Sequence, residues 1–337
     1  MDLSSGSPAD AATPLWVWFA TIGGIAGLFV FDFLTHVHKP HEPSLKEAGF
    51  WSAVYVGISI LFGAVLWLLW DHAHGIEFFA GYITEKSLSV DNLFVFVILM
   101  KTFQVPRADQ QKALLIGIVL ALIMRGIFIA LGAAAIERFS WVFYLFGLFL
   151  LYTAGHLAVE SFSKGKSVDE EYEPNFLVTW LQRRLRTTSE FHGNALTVKK
   201  DGTRYFTPMV VVIGALGITD LLFALDSIPA IYGLTDVPYI VFTANAFALL
   251  GLLQLYFLLG GLLDRLVYLG FGLALVLGFI GIKLILHALE SNTLPFLNDG
   301  QPFSGLPHIS TPLSLGVIVG ILAITTVASL IRSRSRI

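Results

Sequence analysis

EKSLSVDNLFVF (85–96) sets Glu85, Lys86 and Asp91 inside an otherwise apolar run, and DLLFALDSIPAI (220–231) repeats its acidic frame with Asp220 and Asp226. Glu85 aligns with Asp220, Asp91 with Asp226, and Asn92 with Ser227. The likeness continues downstream. IERFSWV (136–142) matches LDRLVYL (263–269), and LLYTAGHL (150–157) matches LGFIGIKL (277–284), which sets His156 opposite Lys283. Around these blocks the chain reads as nine apolar segments, near 14–34, 50–70, 77–100, 112–136, 141–160, 207–232, 238–262, 266–288 and 311–331. Each approaches the roughly 20 residues a helix needs to cross a bilayer core. Three spans separate the starts of the two copies. An odd number reverses direction, so the copies are inverted, a recurrent transporter plan with its site at the repeat interface near the midplane. The expected fold is all-α, a polytopic membrane protein of about nine transmembrane helices with two inverted three-helix repeats.

Composition agrees. Of 337 residues, 55% are hydrophobic and 13% charged, with mean hydropathy +0.75; soluble domains are closer to about a quarter charged. The net charge of −3 gives no reason to expect nucleic acid. With no cysteine there are no disulfides, thiolate metal sites or thiol redox chemistry. Residues 1–13 lack the basic start of a cleavable signal, so the first apolar stretch reads as a retained span. If the N-terminus is outside, 17 of the 21 Lys and Arg fall in inner segments, one (Arg138) falls outside, and Lys86, Arg125 and Lys283 lie within spans. That bias favours a cell-membrane protein with its N-terminus outside and its C-terminus in the cytoplasm.

The organisation follows from the spans. Residues 1–76 hold an extension and two helices, and 77–160 the first repeat. A cytoplasmic loop, 161–206, carries an amphipathic segment NFLVTWLQRRLR (175–186) and a hairpin at ALTVKKDGTRYFT (195–207) with an Asp-Gly turn. Residues 207–288 form the second repeat, and 289–337 an outer loop, a last helix and a basic tail.

A charged side chain in hydrocarbon costs at least ~2.5–3.5 kcal/mol, so four repeated acids imply a polar interior. Six residues turn a helix through about 600°, leaving Glu85 and Asp91 about 120° apart on an unbroken helix. Convergence of all four acids is easier if both helices unwind locally. Pro229 lies three residues past Asp226, and Ser87, Ser89 and Asn92 could support loosened backbone in the first copy. Carboxylates with Asn92 and Ser227 are hard oxygen ligands suited to Mg2+, Ca2+ or Mn2+. Lys86, Arg125 and Lys283 could neutralise the acids when no metal is bound. A structural reading stands beside this one, in which the acids pair with those cations to hold helices together. Asp32 and Asn245 read as helix–helix hydrogen-bonding residues. His36, His38 and His41, and Asp71 with His72 and His74, read as solvated faces or as relays at the two mouths. No GxSxG, Walker A or HExxH pattern suggests an enzyme. Paired intramembrane Asp raise an aspartic protease, but four acids in a repeat suit cation binding better.

EKSLSVDNLFVF, MRGIFIALGA (124–133), TDLLFALDSIPAI (219–231), FTANAFALLG (242–251) and LYFLLGGLLDRL (255–266) together resemble the TerC family of membrane proteins, as does HVHKPHEPSLKEAGFWS (36–52). The likeness spans roughly 28–290. It implies a fold related to the LysE-type transporters and handling of divalent metal, chiefly Mn2+ efflux, with Mg2+, Ca2+ and Zn2+ as further candidates. The family's acidic positions fall on Glu85, Asp91, Asp220 and Asp226, with Asn92 beside them. The tellurium-resistance phenotype behind the family name reads as indirect in a chain without thiols. Two departures stand out. Leu253 occupies a place where many members have Arg, and Gly217 a place where some have Glu. The expected function is divalent-metal export, with proton coupling, no resident cofactor, and the bilayer and metal as partners. The alternative is a non-transporting scaffold or stress-response component with structural acids.

Overall fold

The computed structural model describes residues 13–37, 43–139, 141–163, 187, 188, 191, 193, 195–200, 203–259, 268–307 and 309–334. Helix α1 (Leu15–Asp32) runs into a π-turn, Phe33–Val37. Helix α2 (Leu45–Leu69) opens on Ser44, whose hydroxyl accepts the Glu47 N–H at 3.2 Å, the spacing of a capping box. Helix α3 (His72–Thr102) opens on Asp71, whose carboxylate accepts the His74 N–H at 2.8 Å. Helices α4 (Arg107–Arg138) and α5 (Val142–Ser163) follow. Strands β1 (Thr197–Lys200) and β2 (Thr203–Phe206) pair antiparallel as the expected hairpin. The amphipathic segment at 175–186 lies outside the described residues. Helices α6 (Pro208–Tyr232) and α7 (Pro238–Leu249) begin on prolines, where a missing N–H breaks no helical hydrogen bond. Helices α8 (Leu252–Leu259), α9 (Leu269–Glu290) and α10 (Thr311–Arg334) complete the chain.

Eight of these segments are long and apolar enough to cross a membrane, with α7 and α8 counting together as Pro238–Leu258. Helix α3 covers the remaining expected span, 77–100, but is not among those eight. It is 31 residues long but carries Glu77, Glu85, Lys86, Asp91 and Lys101, and it is surrounded by α2, α6, α7 and α10. Large apolar side chains such as Trp16, Phe19, Leu68, Ile127, Leu131 and Ile324 are exposed, while Glu85, Arg125, Asp220 and Asn245 are buried. Grease outside and charge inside is the distribution of a multi-pass membrane protein.

The repeats interlock by exchange. The first helix of one, α3, packs on the second helix of the other, α7. Helix α4 packs on α6 in the same way, and the third helices, α5 and α9, form the largest contact of all. Helices α4 and α6 approach closely because both carry glycine at the crossing, as small residues allow in membranes. A Cβ at Gly217 would stand 2.7 Å from Leu120 Cδ2, and one at Gly117 3.0 Å from Leu216 Cβ. A larger residue at 217 would have to displace the Leu120 side chain.

The expectation of unwound acidic helices is not met. Helices α3 and α6 run unbroken through Glu85, Asp91, Asp220 and Asp226. Pro229 sits in the last turn of α6 and removes one hydrogen bond without ending the helix. The break lies instead between α7 and α8, where Leu250 is extended and Gly251 takes φ 75° against Tyr55. A left-handed φ with a Cβ clash only 2.9 Å away requires glycine there.

Candidate metal centre

Arg125, from the middle of α4, is fully buried and joins the two repeats. Its Nε donates to Asp220 Oδ2 at 2.7 Å and its Nη2 to Asp220 Oδ1 at 3.0 Å, a bidentate grip on α6. Its Nη1 donates to Glu85 Oε1 on α3, to Asn245 Oδ1 on α7 at 3.3 Å and to Ser227 Oγ on α6 at 3.4 Å. Four helices therefore meet on one guanidinium. The exchange packing explains how. Gly81 of α3 lies against Ile231 of α6. These helices run antiparallel, so four residues on from Gly81 and four back from Ile231 bring Glu85 level with Ser227. Half-buried Asp226 is next to Ser227 and lies within electrostatic reach of Glu85 and Arg125. Two buried carboxylates thus share one cation, with a third acid close by.

The centre is also incompletely satisfied. Among the described residues, Glu85 Oε2 and Asn245 Nδ2 are buried without a hydrogen-bond partner, as are Thr84 Oγ1 and Thr219 Oγ1, which precede the two acids in sequence. Ser89 reaches Glu85 Oε1 weakly, at 3.5 Å. Orphaned polar atoms each forfeit about 1–3 kcal/mol, so the centre is held at a cost.

Of the residues expected at a metal site, Glu85, Asp220 and Ser227 come together on Arg125, and Asn245 joins them as the helix–helix hydrogen bond anticipated for it. Asn92 is buried on α3; the side chain of Asp91 is outside the described set. Among the described residues, no three Asp, Glu or His side chains stand close enough to hold a metal between them. The three intramembrane cations separate. Lys86 turns away from the acids and donates to the carbonyls of Ala248 at 2.9 Å and Leu250 at 3.1 Å, capping the broken end of α7. Lys283 lies within electrostatic reach of Asp236 and Glu77 instead. Leu253, in the place of the family's second arginine, is buried in the apolar cluster that includes Tyr55.

Two further networks lie apart. Asp32 accepts from Tyr55 Oη at 2.5 Å and Gln254 Nε2 at 3.2 Å, tying α1 to α2 and α8. At the opposite end, Glu77 Oε2 accepts the Thr235 hydroxyl at 2.6 Å, near His74, Asp71, Asp236 and, through Asp236, His287. Sequence reasoning passed over Glu77 because it stands outside the repeated frame. His74 is buried, bonded to Asp71 at 2.5 Å and stacked on Trp70, while His72 is exposed. The His36 side chain, His38 and His41 lie outside the described residues. Burial pushes the Asp71 carboxyl up, but the hydrogen bonds it accepts from His74 outweigh that and hold it below the usual carboxylate range.

Residues 70–336 match the model of the integral membrane protein TerC family. An uncharacterized membrane protein of Mycobacterium tuberculosis is 49% identical over 320 residues, 95% of this chain and 80% of that protein. An Escherichia coli K12 protein named "Putative membrane-bound redox modulator Alx" is 37% identical over 323 residues, 93% of each chain. An uncharacterized membrane protein of Myxococcus xanthus is 36% identical over 327 residues, 97% of this chain and 95% of its own. No solved structure matches. The chain belongs to the TerC family.

Proposed function

From membership of that family and the charge arrangement at the repeat interface, we propose that the protein exports divalent cations, Mn2+ foremost, across the cell membrane in exchange for protons. The reading rests on one observation, the Arg125 guanidinium held between Glu85 of one repeat and Asp220 of the other. A tethered cation occupies the place where both repeats direct a carboxylate. Alternating access would move the repeats against each other around that place and exchange the guanidinium for a mobile ion. Glu85, Asp91, Asp220 and Asp226 would bind the ion, with Asn92 and Ser227 completing its oxygen shell. The donor set is hard, and Glu85 Oε2 is already unpaired.

The scaffold reading draws on the same contacts, because bidentate Arg125–Asp220 is also what a structural ion pair requires. The "redox modulator" name of the Escherichia coli relative has no thiol counterpart here, since the chain lacks cysteine. Flux by purified protein in proteoliposomes, with Mn2+, Mg2+, Ca2+ and Zn2+ and with or without a pH gradient, separates the readings. Export predicts Mn2+ flux that Asp226→Asn and Asp91→Asn abolish while both variants still fold. Absence of flux for all four ions in the wild type would refute it.

A further inference from the structure

Glu77 stands outside the repeated acidic frame, and the centre at Arg125 makes no use of it. It lies on α3 eight residues before Glu85, about 12 Å along the helix. Its Oε2 accepts the Thr235 hydroxyl at 2.6 Å, and the Thr235 oxygen in turn accepts the Val237 N–H at 3.2 Å. This bond falls in the register of the antiparallel α3–α6 seam. Gly81 lies against Ile231, and four residues back from Gly81 and four on from Ile231 are Glu77 and Thr235. A hydrogen bond thus closes one end of the seam that holds Glu85 level with Ser227. With the N-terminus outside, as the Lys and Arg bias favours, it is the outer end.

The other end is closed differently. The frame that aligns Glu85 with Asp220 sets Val212 opposite Glu77 and Met100 opposite Thr235. Met100 lies fifteen residues on from Glu85 and Val212 fifteen back from Ser227, so these two keep the same register. They are 1% and 0% exposed and belong to one apolar cluster. Neither side chain titrates, so a change of pH acts on the Glu77 end alone of these two closures.

The charged groups around Glu77 are Asp71 and His74 on its own helix, Asp236 in the turn after α6 and Lys283 on α9, with His287 beyond Asp236. The neighbouring ends of α2, α7 and α10, which also pack on α3, bring no charged side chain. With both imidazoles neutral, three carboxylates face one ammonium. Asp71 accepts the His74 N–H, and Asp236 is exposed. Glu77 is the acid that bonds across the seam. A hydroxyl is held about twice as strongly by a carboxylate as by a neutral acid, so a proton on Glu77 loosens its grip on Thr235.

Resting on the export reading, we propose that Glu77 is the outer acceptor of the exchanged proton. Its protonation from outside frees Thr235 and lets the outer end of the α3–α6 seam part, the movement that would release the metal.

The test uses the full chain in proteoliposomes. The chain has no cysteine, so Ile231→Cys places a single thiol in the seam, read by a membrane-impermeant maleimide. At neutral pH this thiol should label about fivefold faster when Glu77→Gln or Thr235→Val is added, the scale that separates a charged from a neutral hydrogen bond. Thr235→Ser keeps the hydroxyl and should stay within about twofold of the parent. In acid the rates with Glu77 and with Glu77→Gln should meet. With MnCl2 as the transported probe, an inward proton gradient should quicken wild-type efflux and leave Glu77→Gln within about twofold of its own rate without the gradient. Should Glu77→Gln fail to assemble, Thr235→Val carries the labelling expectation. If wild-type flux ignores the gradient, if Glu77→Gln answers it as the wild type does, or if labelling is unchanged, the proton role is overturned and export stands. If the wild type moves no Mn2+ under any gradient, both fall.

Discussion

The two repeats carry the same acids and different counter-charges. In the first, the second helix is continuous and holds Arg125; in the second, it breaks at Leu250–Gly251 and has Leu253 packed in the core. The acids are duplicated while the arginine is single, so one guanidinium from the first repeat must serve carboxylates of both. The missing cation of the second repeat is met differently, with Lys86 crossing over to cap the broken helix. A twofold scaffold therefore houses a centre that is not twofold in charge.

The strongest way to break this comparison is to remove its single cation. Arg125→Leu leaves Glu85 and Asp220 buried and unpaired and should cost about 3–5 kcal/mol, read as a collapse of the melting temperature. Adding Glu85→Gln and Asp220→Asn should restore much of it. Arg125→Lys should fall between, because an ammonium cannot hold Asp220 bidentately. Next is the break itself. Gly251→Ala forces a side chain into a left-handed backbone against Tyr55 and should cost about 1–3 kcal/mol. Gly126→Ala on continuous α4, where the nearest side chain is 3.6 Å away, should change stability by less than about 0.5 kcal/mol. Equal effects would show that the two second helices do not differ as described. Lys86→Met should cost about 1–2 kcal/mol by uncapping two carbonyls, with amide exchange quickened near 250 and unchanged around Arg125.

The smallest loss of an interaction lies at the start of α3. Asp71→Ala should cost about 1 kcal/mol at neutral pH as a lost N-cap. The folded Asp71 carboxyl sits below its usual range. Its contribution is therefore full above the ordinary carboxylate pKa and is lost as pH falls through the lowered one. Melting of wild type and variant should converge in acid.

Eight apolar spans and the hairpin were legible because hydrophobic length and turn residues are local signals. Glu85 and Asp220 were legible because charge in hydrocarbon stands out. Which cation they meet was not. Lys86, Arg125 and Lys283 look alike along the chain, and only the exchange of packing partners, α4 on α6, chooses Arg125. The break was sought at Pro229, yet a proline in a last turn removes one bond near an end where bonds already run out. Gly251 was one of 31 glycines, and its left-handed φ depends on Tyr55 from a distant helix.

The Arg125 bridge also orders how the protein is made. Synthesis delivers α3 and α4 to the membrane before α6 exists. Glu85 and Arg125 are thus present first, and the bond from Arg125 to Asp220 can form only once the second half has been made.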